Sequence, residues 1–484
     1  MKFEFTTQPT FTKADNQVTS QTNPLISAFD TMQNMSLTQN GAMTYASSLD
    51  KNVDFFFLIG ASRGKDLSEV FSKAFAEDKS LAVRVLQYGR DVREGMGERA
   101  HFIQLFKLLI QWDKSLAIRV LHNTVEIGRF KDIIEMAFDT VLEKEALRIL
   151  AKGLTDPNMK GLCAKWMPRQ GVNANKLRGY LKMAPKAYRK MLVALSDTVE
   201  QKMSNQEWTA IEYAKVPSMA SLRYQSAFKE HDPIGYEKYK DELTQGNTKV
   251  NSSVVYPHLI VENVLRNTGD LTVLNAQWES LPNYLEGNTE NILPLVDVSS
   301  SMSSAQVMHI AIALGLYLSE RMNGSFKNRF LTFSTTPQLD KVQGVDIREK
   351  VRNMHKAHWS GSTNIELAFK AILDLAIAVK APIEAMPSTL MILSDMEFNR
   401  ASAWDQTIFQ RVKQMYAQAG YTMPKLVFWN LHGRVGNCPV SAMTDGTALI
   451  SGFNPNIMKA VLANETMTPK SVMLNAILKD RYVS

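Results

Sequence analysis

The spacing of hydrophobic positions along the chain changes near residue 288. From Val53 to Val261, apolar residues recur at intervals of three and four, the spacing that places them on one face of an α-helix. Beyond residue 288 the apolar residues come instead in short runs between longer helical patterns, which is typical of strands alternating with helices. We therefore expect a multidomain protein with an all-α N-terminal region and an α/β C-terminal region.

The N-terminal pattern predicts a HEAT-like helical-repeat domain over residues 51–288. Gly, Asn, Asp and Pro occupy the short breaks between amphipathic stretches, so antiparallel helical hairpins stacked side by side are expected. The first 50 residues are rich in Thr, Gln, Asn and Ser, which predicts a flexible polar arm. The helical spacing is clearest in Leu67–Phe75, Ser80–Gly89, Glu98–Trp112, Asp113–Glu126, Lys131–Leu150 and Pro185–Lys202.

The C-terminal pattern predicts a doubly wound α/β domain over residues 289–484. Strands alternate there with helices, an order that favours a mostly parallel sheet of Rossmann-like type. Strands are expected at 291–298, 329–334, 388–393, 425–431 and 447–452, with helices at 305–322, 364–379 and 404–419.

Composition places the chain among soluble proteins of a reducing compartment. The chain has 484 residues, of which 45% are hydrophobic and 21% charged, as in ordinary globular proteins. Its two cysteines are too few for a disulfide framework or a zinc cluster. No secretory signal is evident at the N-terminus, and no apolar stretch reaches the ~18 residues of a membrane span. We expect a cytoplasmic protein that does not interact with membranes.

A cluster of hydroxyls follows the first predicted strand of the α/β domain. The stretch Asp297-Val-Ser299-Ser-Ser301 stands where that strand ends, Thr363 opens a predicted helix, and Asp395 directly follows another strand. Each segment alone is equally well explained as a polar turn or a helix cap. In an open α/β sheet, however, the carboxyl ends of the strands meet at one edge, where ligands bind. The three segments together therefore predict a divalent-metal site of five oxygen ligands.

Carboxylates, hydroxyls and water suit a hard cation such as Mg²⁺, with Mn²⁺ or Ca²⁺ as other candidates. The order of these residues resembles the metal-ion-dependent adhesion site (MIDAS) of von Willebrand factor A domains. The resemblance implies that Ser299, Ser301 and Thr363 supply hydroxyls, while Asp297 and Asp395 act directly or through water. It also implies one open coordination position for an acidic group of a partner. No nucleophile–base pair is evident nearby, so we do not expect an enzyme.

The charge of the chain is unevenly distributed. Residues Ala151–Ser196 contain ten Lys and Arg against the single acid Asp156, which favours a polyanion-binding face. Interleaved rings of Trp166, Tyr180 and Tyr188 could stack on bases, although they could equally belong to the core and the charges to solvated helix faces. The candidate RNA-binding residues are Lys165, Arg169, Lys176, Arg178, Lys182, Lys186, Arg189 and Lys190.

A second charged stretch, Tyr88–His101, reads YGRDVREGMGERAH. Its two closely spaced glycines do not form a dinucleotide-binding fingerprint, because no strand precedes them and the third glycine is missing. Basic and acidic residues alternate closely here, so we expect its arginines to pair with the neighbouring acids Asp91, Glu94 and Glu98.

A basic helical domain followed by a domain with this metal motif resembles the Ro-type (TROVE) RNA-binding proteins. The resemblance implies a ring of helical repeats that binds single-stranded RNA ends or small structured RNA, with a role in RNA surveillance or ribonucleoprotein assembly. The alternative is a protein–protein adaptor whose metal captures an acidic residue of a protein partner. A metal-dependent nuclease is disfavoured, because the ligand set has fewer carboxylates than a two-metal centre.

Overall fold

The computed structural model describes residues 32–252, 255–297, 299, 302, 305–332, 337–357, 364–400, 407–463 and 466–484. Residues 36–484 form one compact unit, and residues 1–35 form another, of which 32–35 are described. Helices follow one another from Lys51 to Glu279, and strands alternate with helices from Ile292 onward. The predicted order of a helical region and then an α/β region is confirmed. No helix within the described ranges has the length and apolarity of a membrane span.

The helical region follows two three-residue strands, β1 (Met35–Leu37) and β2 (Met43–Tyr45). Its helices are α1 (Lys51–Ile59), α2 (Ser68–Glu77), α3 (Lys79–Arg90), α4 (Arg99–Trp112), α5 (Lys114–Ile127), α6 (Phe130–Ala137), α7 (Glu143–Thr155), α8 (Lys160–Trp166), α9 (Val172–Tyr180), α10 (Pro185–Leu195), α11 (Val199–Ser204), α12 (Ser218–His231), α13 (Pro233–Thr244), α14 (Pro257–Leu265) and α15 (Leu271–Glu279).

Aspartates fix the starts of several of these helices. The first N–H groups of a helix lack partners within the helix, and an aspartate just before it can accept from them. Asp50 accepts from the backbone N–H groups of Asn52 and Val53 at 3.0 and 2.9 Å. Asp78 and Asp113 cap α3 and α5 in the same way. The Asp residues that interrupt the apolar rhythm therefore mark helix boundaries.

Two of the predicted helices are each divided in the structure. The single helix expected over Lys131–Leu150 is wrong, because α6 ends at Ala137 and α7 begins at Glu143. Asp139 between them has a left-handed backbone (φ 61°), and its N–H donates to the Glu143 carboxylate at 2.8 Å. A left-handed residue cannot continue a right-handed helix. The helix expected over Pro185–Lys202 likewise divides into α10 and α11.

The α/β region contains a six-stranded sheet with the order β5-β4-β3-β6-β7-β8. All neighbouring strands pair in parallel except β5, an edge strand antiparallel to β4. The strands are β3 (Ile292–Val296), β4 (Arg329–Thr332), β5 (Leu339–Lys341), β6 (Thr389–Ser394), β7 (Lys425–Asn430) and β8 (Thr447–Ser451). The helices are α16 (Ala305–Arg321), α17 (Ile347–His355), α18 (Ile365–Val379), α19 (Ile408–Gln418), α20 (Met458–Leu462) and α21 (Pro469–Ile477).

Near the end of the helical region, the residues around the start of α14 pack against the loop between α3 and α4. A Cβ at Gly97, which has a left-handed backbone (φ 74°), would lie 2.2 Å from the Tyr256 hydroxyl. Phe453, which follows β8, contacts the His258 ring at 5.4 Å between centroids, and the Arg63 guanidinium lies 4.0 Å from the Phe453 ring. Helix α14 also packs against α16 and α17. The start and the end of the helical series therefore meet each other on the α/β region.

The C-terminal residues bind the N-terminal helices. The buried Tyr482 donates its hydroxyl to Asp91 at 3.1 Å, and Arg481 forms an ion pair with the same carboxylate. One turn earlier, the Gln87 side chain donates to the carbonyl of Val483. The chain end thus ties α3 to the α/β region.

Candidate metal centre and basic face

Asp297 and Asp395 lie side by side at the carboxyl edge of the sheet. Asp297 directly follows β3 and Asp395 directly follows β6, the parallel neighbour of β3. The Ser394 hydroxyl donates to Oδ2 of Asp297 at 2.6 Å. Both carboxylates are buried, with 0% of Asp297 and 2% of Asp395 exposed. The order of the strands therefore brings together two acids that are almost 100 positions apart in the sequence.

The turn after each strand holds its carboxylate in place. Oδ1 of Asp297 accepts from the backbone N–H of Ser299 at 2.9 Å. Oδ1 of Asp395 accepts from the backbone N–H of Glu397 at 3.1 Å, and Met396 between them has a left-handed backbone (φ 65°). A side chain with a Cβ rarely adopts this conformation, so the surrounding structure must stabilise it. Both acids are thus positioned by their own loops.

The surroundings of Asp297 raise the affinity of its carboxylate for a proton. Burial raises the pKa of Asp297 to about 6, and the nearby charge of Asp395 acts in the same direction. Hydrogen bonds from Ser394 and Ser299 lower this pKa but do not offset the first two effects. A proton or a bound cation would therefore relieve the repulsion between these two buried carboxylates.

Three of the five predicted metal ligands lie in the described part of the chain. Asp297, Ser299 and Asp395 are at the carboxyl edge of β3 and β6, whereas Ser301 and Thr363 lie outside the described residues. The described donors are two carboxylates and one hydroxyl, a set of hard oxygens that suits Mg²⁺. Within the described ranges, no three His, Cys, Asp or Glu side chains form a cluster able to hold a metal. The two described carboxylates are fewer than a site built from carboxylates alone would need, so hydroxyls or water would have to complete the coordination.

Three basic side chains lie in loops beside Asp395 and Glu397, and sequence reasoning missed them. Lys65, in the loop between α1 and α2, donates from Nζ to the carbonyl of Gly433 at 2.7 Å. His432 and Arg434 come from the loop after β7, the strand next to β6. The position of His432 and Arg434 just beyond a predicted strand is a signal that could have identified them. Lys65 carries no such signal, because only the contact between the two regions brings it here.

Burial and neighbouring charges change the pKa values of Lys65 and His432. Burial lowers the pKa of Lys65 first, and Arg434 lowers it further, while Glu397 and Asp395 raise it. Burial also lowers the pKa of His432, and Lys65 acts in the same direction while Asp395 opposes it. The site therefore combines buried acids with half-buried bases rather than charges of one sign.

The structure divides the eight candidate RNA-binding residues into three groups. Two of them are neutralised: Lys165 pairs with Glu200 at 3.3 Å, and Lys176 pairs with Asp139 and Glu143. Arg178 donates to the side chain of Asn175 on its own helix. The remaining five are exposed and have no acidic side chain within ion-pair distance among the described residues; they are Arg169, Lys182, Lys186, Arg189 and Lys190.

Three of the five unpaired bases share one face of α10. Lys186, Arg189 and Lys190 are separated by three and four positions, which places them on adjacent turns of that helix. Lys182 lies just before α10, and Arg169 lies between α8 and α9. We refer to these five residues as the basic face.

The aromatic residues near the basic face differ in exposure. Tyr180 is 42% exposed, and Trp166 is half-buried with the Arg129 guanidinium 5.3 Å from its ring. Tyr188 is buried, and its hydroxyl donates to the carbonyl of Pro168 at 3.0 Å. The interpretation of Tyr188 as a stacking ring is therefore wrong, since its ring belongs to the core.

More than half of the charged stretch Tyr88–His101 is buried, and its ion pairs differ from the predicted ones. Arg90, only 1% exposed, pairs with the fully buried Asp132, which also accepts from Arg99 at 2.7 Å. Glu98 pairs with Arg63 at 2.7 Å. The expected pairing of these arginines with their neighbouring acids is therefore wrong, because the tertiary fold brings partners from distant parts of the chain.

Two family models match this chain, and both describe domains of unknown function. The first (DUF2828) matches residues 38–132 and 162–289, and the second (DUF7788) matches residues 291–480. An uncharacterised protein of Acanthamoeba polyphaga mimivirus is 29% identical over 513 aligned positions, which cover 92% of this chain and 88% of the relative. The similarity to this viral protein therefore extends over both the helical and the α/β regions of this chain.

Among solved structures, the chain is similar to the crystal structure of the Ro (RSR) protein of Deinococcus radiodurans. The TM-score is 0.49 at 15% sequence identity, and the match covers 89% of this chain and 99% of that chain.

Proposed function

We propose that this protein is a non-enzymatic RNA-binding protein that holds single-stranded RNA, or the single-stranded part of a small structured RNA, on its basic face. The observation that carries the proposal is the set of five exposed bases without acidic partners among the described residues. Phosphates of a nucleic-acid backbone are the ligands that such a group of Lys and Arg side chains binds. The resemblance of the sequence to Ro-type proteins favours the same ligand.

The exposed Tyr180 supports single-stranded RNA over a duplex. Binding of single strands combines cations for the backbone with accessible rings for the bases. Tyr180 ends α9, only two residues before Lys182, so a ring and a cation lie close together at one end of the basic face. Duplex RNA offers no unstacked base for such a ring.

A divalent cation at the carboxyl edge of the sheet is part of the proposal. Asp297, Ser299 and Asp395 would hold Mg²⁺, together with Ser301 and Thr363. The buried pair of carboxylates supports this assignment, because two adjacent buried acids need a compensating positive charge. When bound, the cation offers an open position to an oxygen of the RNA backbone. RNA surveillance or ribonucleoprotein assembly in the cytoplasm are the roles that this activity would serve.

Salt-dependent binding of a fluorescent single-stranded RNA 12-mer tests the proposal. With about five phosphate contacts, affinity should fall about 100-fold between 50 and 200 mM salt. Replacing Lys186, Arg189 and Lys190 together by Gln should lower the slope of log affinity against log salt by about 2. A matched control replaces Lys107, Lys114 and Arg119 by Gln, which removes the same charges from exposed positions on α4 and α5. Equal losses in both triple variants would contradict a localised basic face.

The competing function is that of a protein–protein adaptor, in which the metal captures a carboxylate of a partner. It predicts that the wild-type protein binds no single-stranded RNA at 50 mM salt. That result would overturn the RNA-binding proposal and leave the adaptor as the better explanation.

A further inference from the structure

We infer that Lys65, His432 and Arg434 form an anion-binding cluster that receives an RNA phosphate beside the candidate metal. The inference rests on the proposed RNA-binding function and adds the residues that would contact the phosphate. None of the three belongs to the basic face, and they come from both regions of the chain. We refer to them as the phosphate cluster.

The position of Lys65 is fixed from both sides. Its Nζ donates to the Gly433 carbonyl at 2.7 Å, while its own carbonyl lies 3.1 Å from Nε2 of His101. Gly433 in turn donates its N–H to the carbonyl of Ala61 at 2.9 Å. The loop before α2 and the loop after β7 are therefore joined by hydrogen bonds next to the sheet edge. Among the described residues, Gly433 is the acceptor of this ammonium, so two of its three hydrogens have no protein acceptor there.

The loop after β7 brings the other two bases to the same edge. Leu431 donates its N–H to the carbonyl of Ser394 at 2.9 Å, and the N–H of His432 donates to the Asn430 side chain at 3.1 Å. These bonds hold the loop beside the residue that precedes Asp395. Arg434 lies 3.5 Å from the Glu397 carboxylate through Nε, and its two terminal nitrogens have no protein partner in the described part of the chain.

Glu397 positions Arg434 rather than binding the metal. Its side chain is buried, and its Oε2 accepts from the backbone N–H of Gln39 at 2.7 Å. Its Oε1 accepts from the Asn437 amide at 3.2 Å. Both oxygens of this carboxylate therefore have protein partners, and the ion pair with Glu397 restrains the Arg434 guanidinium.

The number of donors favours a phosphate over a carboxylate. Lys65, His432 and Arg434 supply an ammonium, an imidazole and a guanidinium, and Asp297 and Asp395 would hold a cation beside them. Together these groups offer more binding directions than the two oxygens of a carboxylate can use. A phosphate presents three or four oxygens, and Arg recognises it with paired N–H groups. Half-buried bases also bind an oxyanion more strongly than fully exposed ones, because less water competes.

Binding of the RNA 12-mer in 1 mM Mg²⁺ and in EDTA tests the phosphate cluster. We expect Lys65→Gln and Arg434→Gln each to lower affinity in Mg²⁺ about tenfold, the effect of losing one charge-assisted hydrogen bond, and to leave affinity in EDTA unchanged. Lys65→Arg should restore most of the affinity. The control Lys73→Gln removes an exposed lysine of the neighbouring α2, which pairs with Glu69, and should bind as wild type. Thermal unfolding of each variant verifies that the loops remain folded.

Each other outcome overturns the inference in a distinguishable way. If the wild type binds RNA but both variants match it in Mg²⁺, the phosphate cluster does not exist and the basic face stands alone. If the variants lose as much affinity in EDTA as in Mg²⁺, their contact is independent of the metal site. If the wild type binds no RNA but binds a glutamate-containing peptide in Mg²⁺, and the variants lose that binding, the ligand is a protein carboxylate and the proposed function fails as well.

Discussion

Two charged stretches of the helical region contrast in what their charges do. In Tyr88–His101, Arg90 and its partner Asp132 are almost completely buried. In Ala151–Ser196, the basic face is exposed and has no acidic partners among the described residues. The first stretch has nearly as many acids as bases, and the second has ten bases and one acid. The balance of charge along a stretch, rather than its charge density, separates a structural role from a binding role.

The physical reason is the cost of desolvating a charge. Burying an unpaired charge removes its hydration with nothing to offset the loss. In a fully hydrogen-bonded ion pair, the attraction between the partners and their hydrogen bonds offset much of it. A stretch with an excess of one sign must therefore keep most of its charges in water, where they can meet a partner of opposite charge.

The largest effect is expected where a buried pair is broken. Asp132→Asn leaves Arg90 buried without its counter-charge and should lower the free energy of unfolding by about 3–5 kcal/mol. Glu135→Gln is the matched control, because Arg99 pairs with both Asp132 and Glu135. The Glu135 side chain is 35% exposed, so its substitution should lower the free energy of unfolding by less than about 1 kcal/mol. Urea unfolding followed by circular dichroism measures both. Equal losses would show that Asp132 is not a buried centre of charge.

A histidine at the closure of the helical region should make stability depend on pH. Burial lowers the pKa of His258 to about 3, with Arg63 and His309 acting in the same direction. An unfolded histidine has a pKa near 6.5, so protonation favours the unfolded chain. This contribution to stability is complete above pH ~6.5 and is lost as the pH falls towards 3. Between pH 7 and pH 5 it amounts to about 2 kcal/mol.

The variant His258→Gln tests this assignment. Its unfolding free energy should fall less than that of the wild type between pH 7 and pH 5, even if the variant is less stable at both. The loss of the ring contact with Phe453 lowers the unfolding free energy at both pH values. Comparing the pH-dependent fall of the wild type with that of the variant therefore isolates the effect of protonating His258. Parallel pH profiles for wild type and variant would mean that His258 is not buried in its neutral form.

The sequence predicted much of this molecule because its signals are local. Apolar spacing identified the main helices and the parallel strands, and the strand-end position of Asp297 and Asp395 predicted that they meet. What it could not predict depends on contacts between distant parts of the chain. Lys65 reaches the sheet edge only because the loop before α2 is bonded to Gly433. Asp132 pairs with arginines of two other helices, a choice that no local pattern contains.

Tyr180, an exposed ring beside the basic face, should contribute to RNA affinity but not to folding. Tyr180→Ala removes a ring that is 42% exposed and should weaken binding of single-stranded RNA by about 1 kcal/mol or more, the contribution of one stacked base. Tyr188→Phe is the control, since its ring is buried and only its hydroxyl bond to Pro168 is lost. It should leave RNA affinity unchanged. Fluorescence anisotropy with the 12-mer distinguishes the two variants.

The smallest effect is expected at Lys176, which lies within the basic stretch but not on the basic face. Its ammonium is already neutralised by Asp139 and Glu143, and these two carboxylates raise its pKa by hydrogen bonding. Lys176→Gln should therefore change affinity for single-stranded RNA by less than about twofold, because a base held by two acids has little positive potential left for a phosphate. Lys186→Gln, which removes the same charge from the basic face, should cause a larger loss under the same conditions. If the two single variants lose equal affinity, the total charge of the stretch governs RNA binding, and the sorting of its bases by acidic partners has no consequence for function.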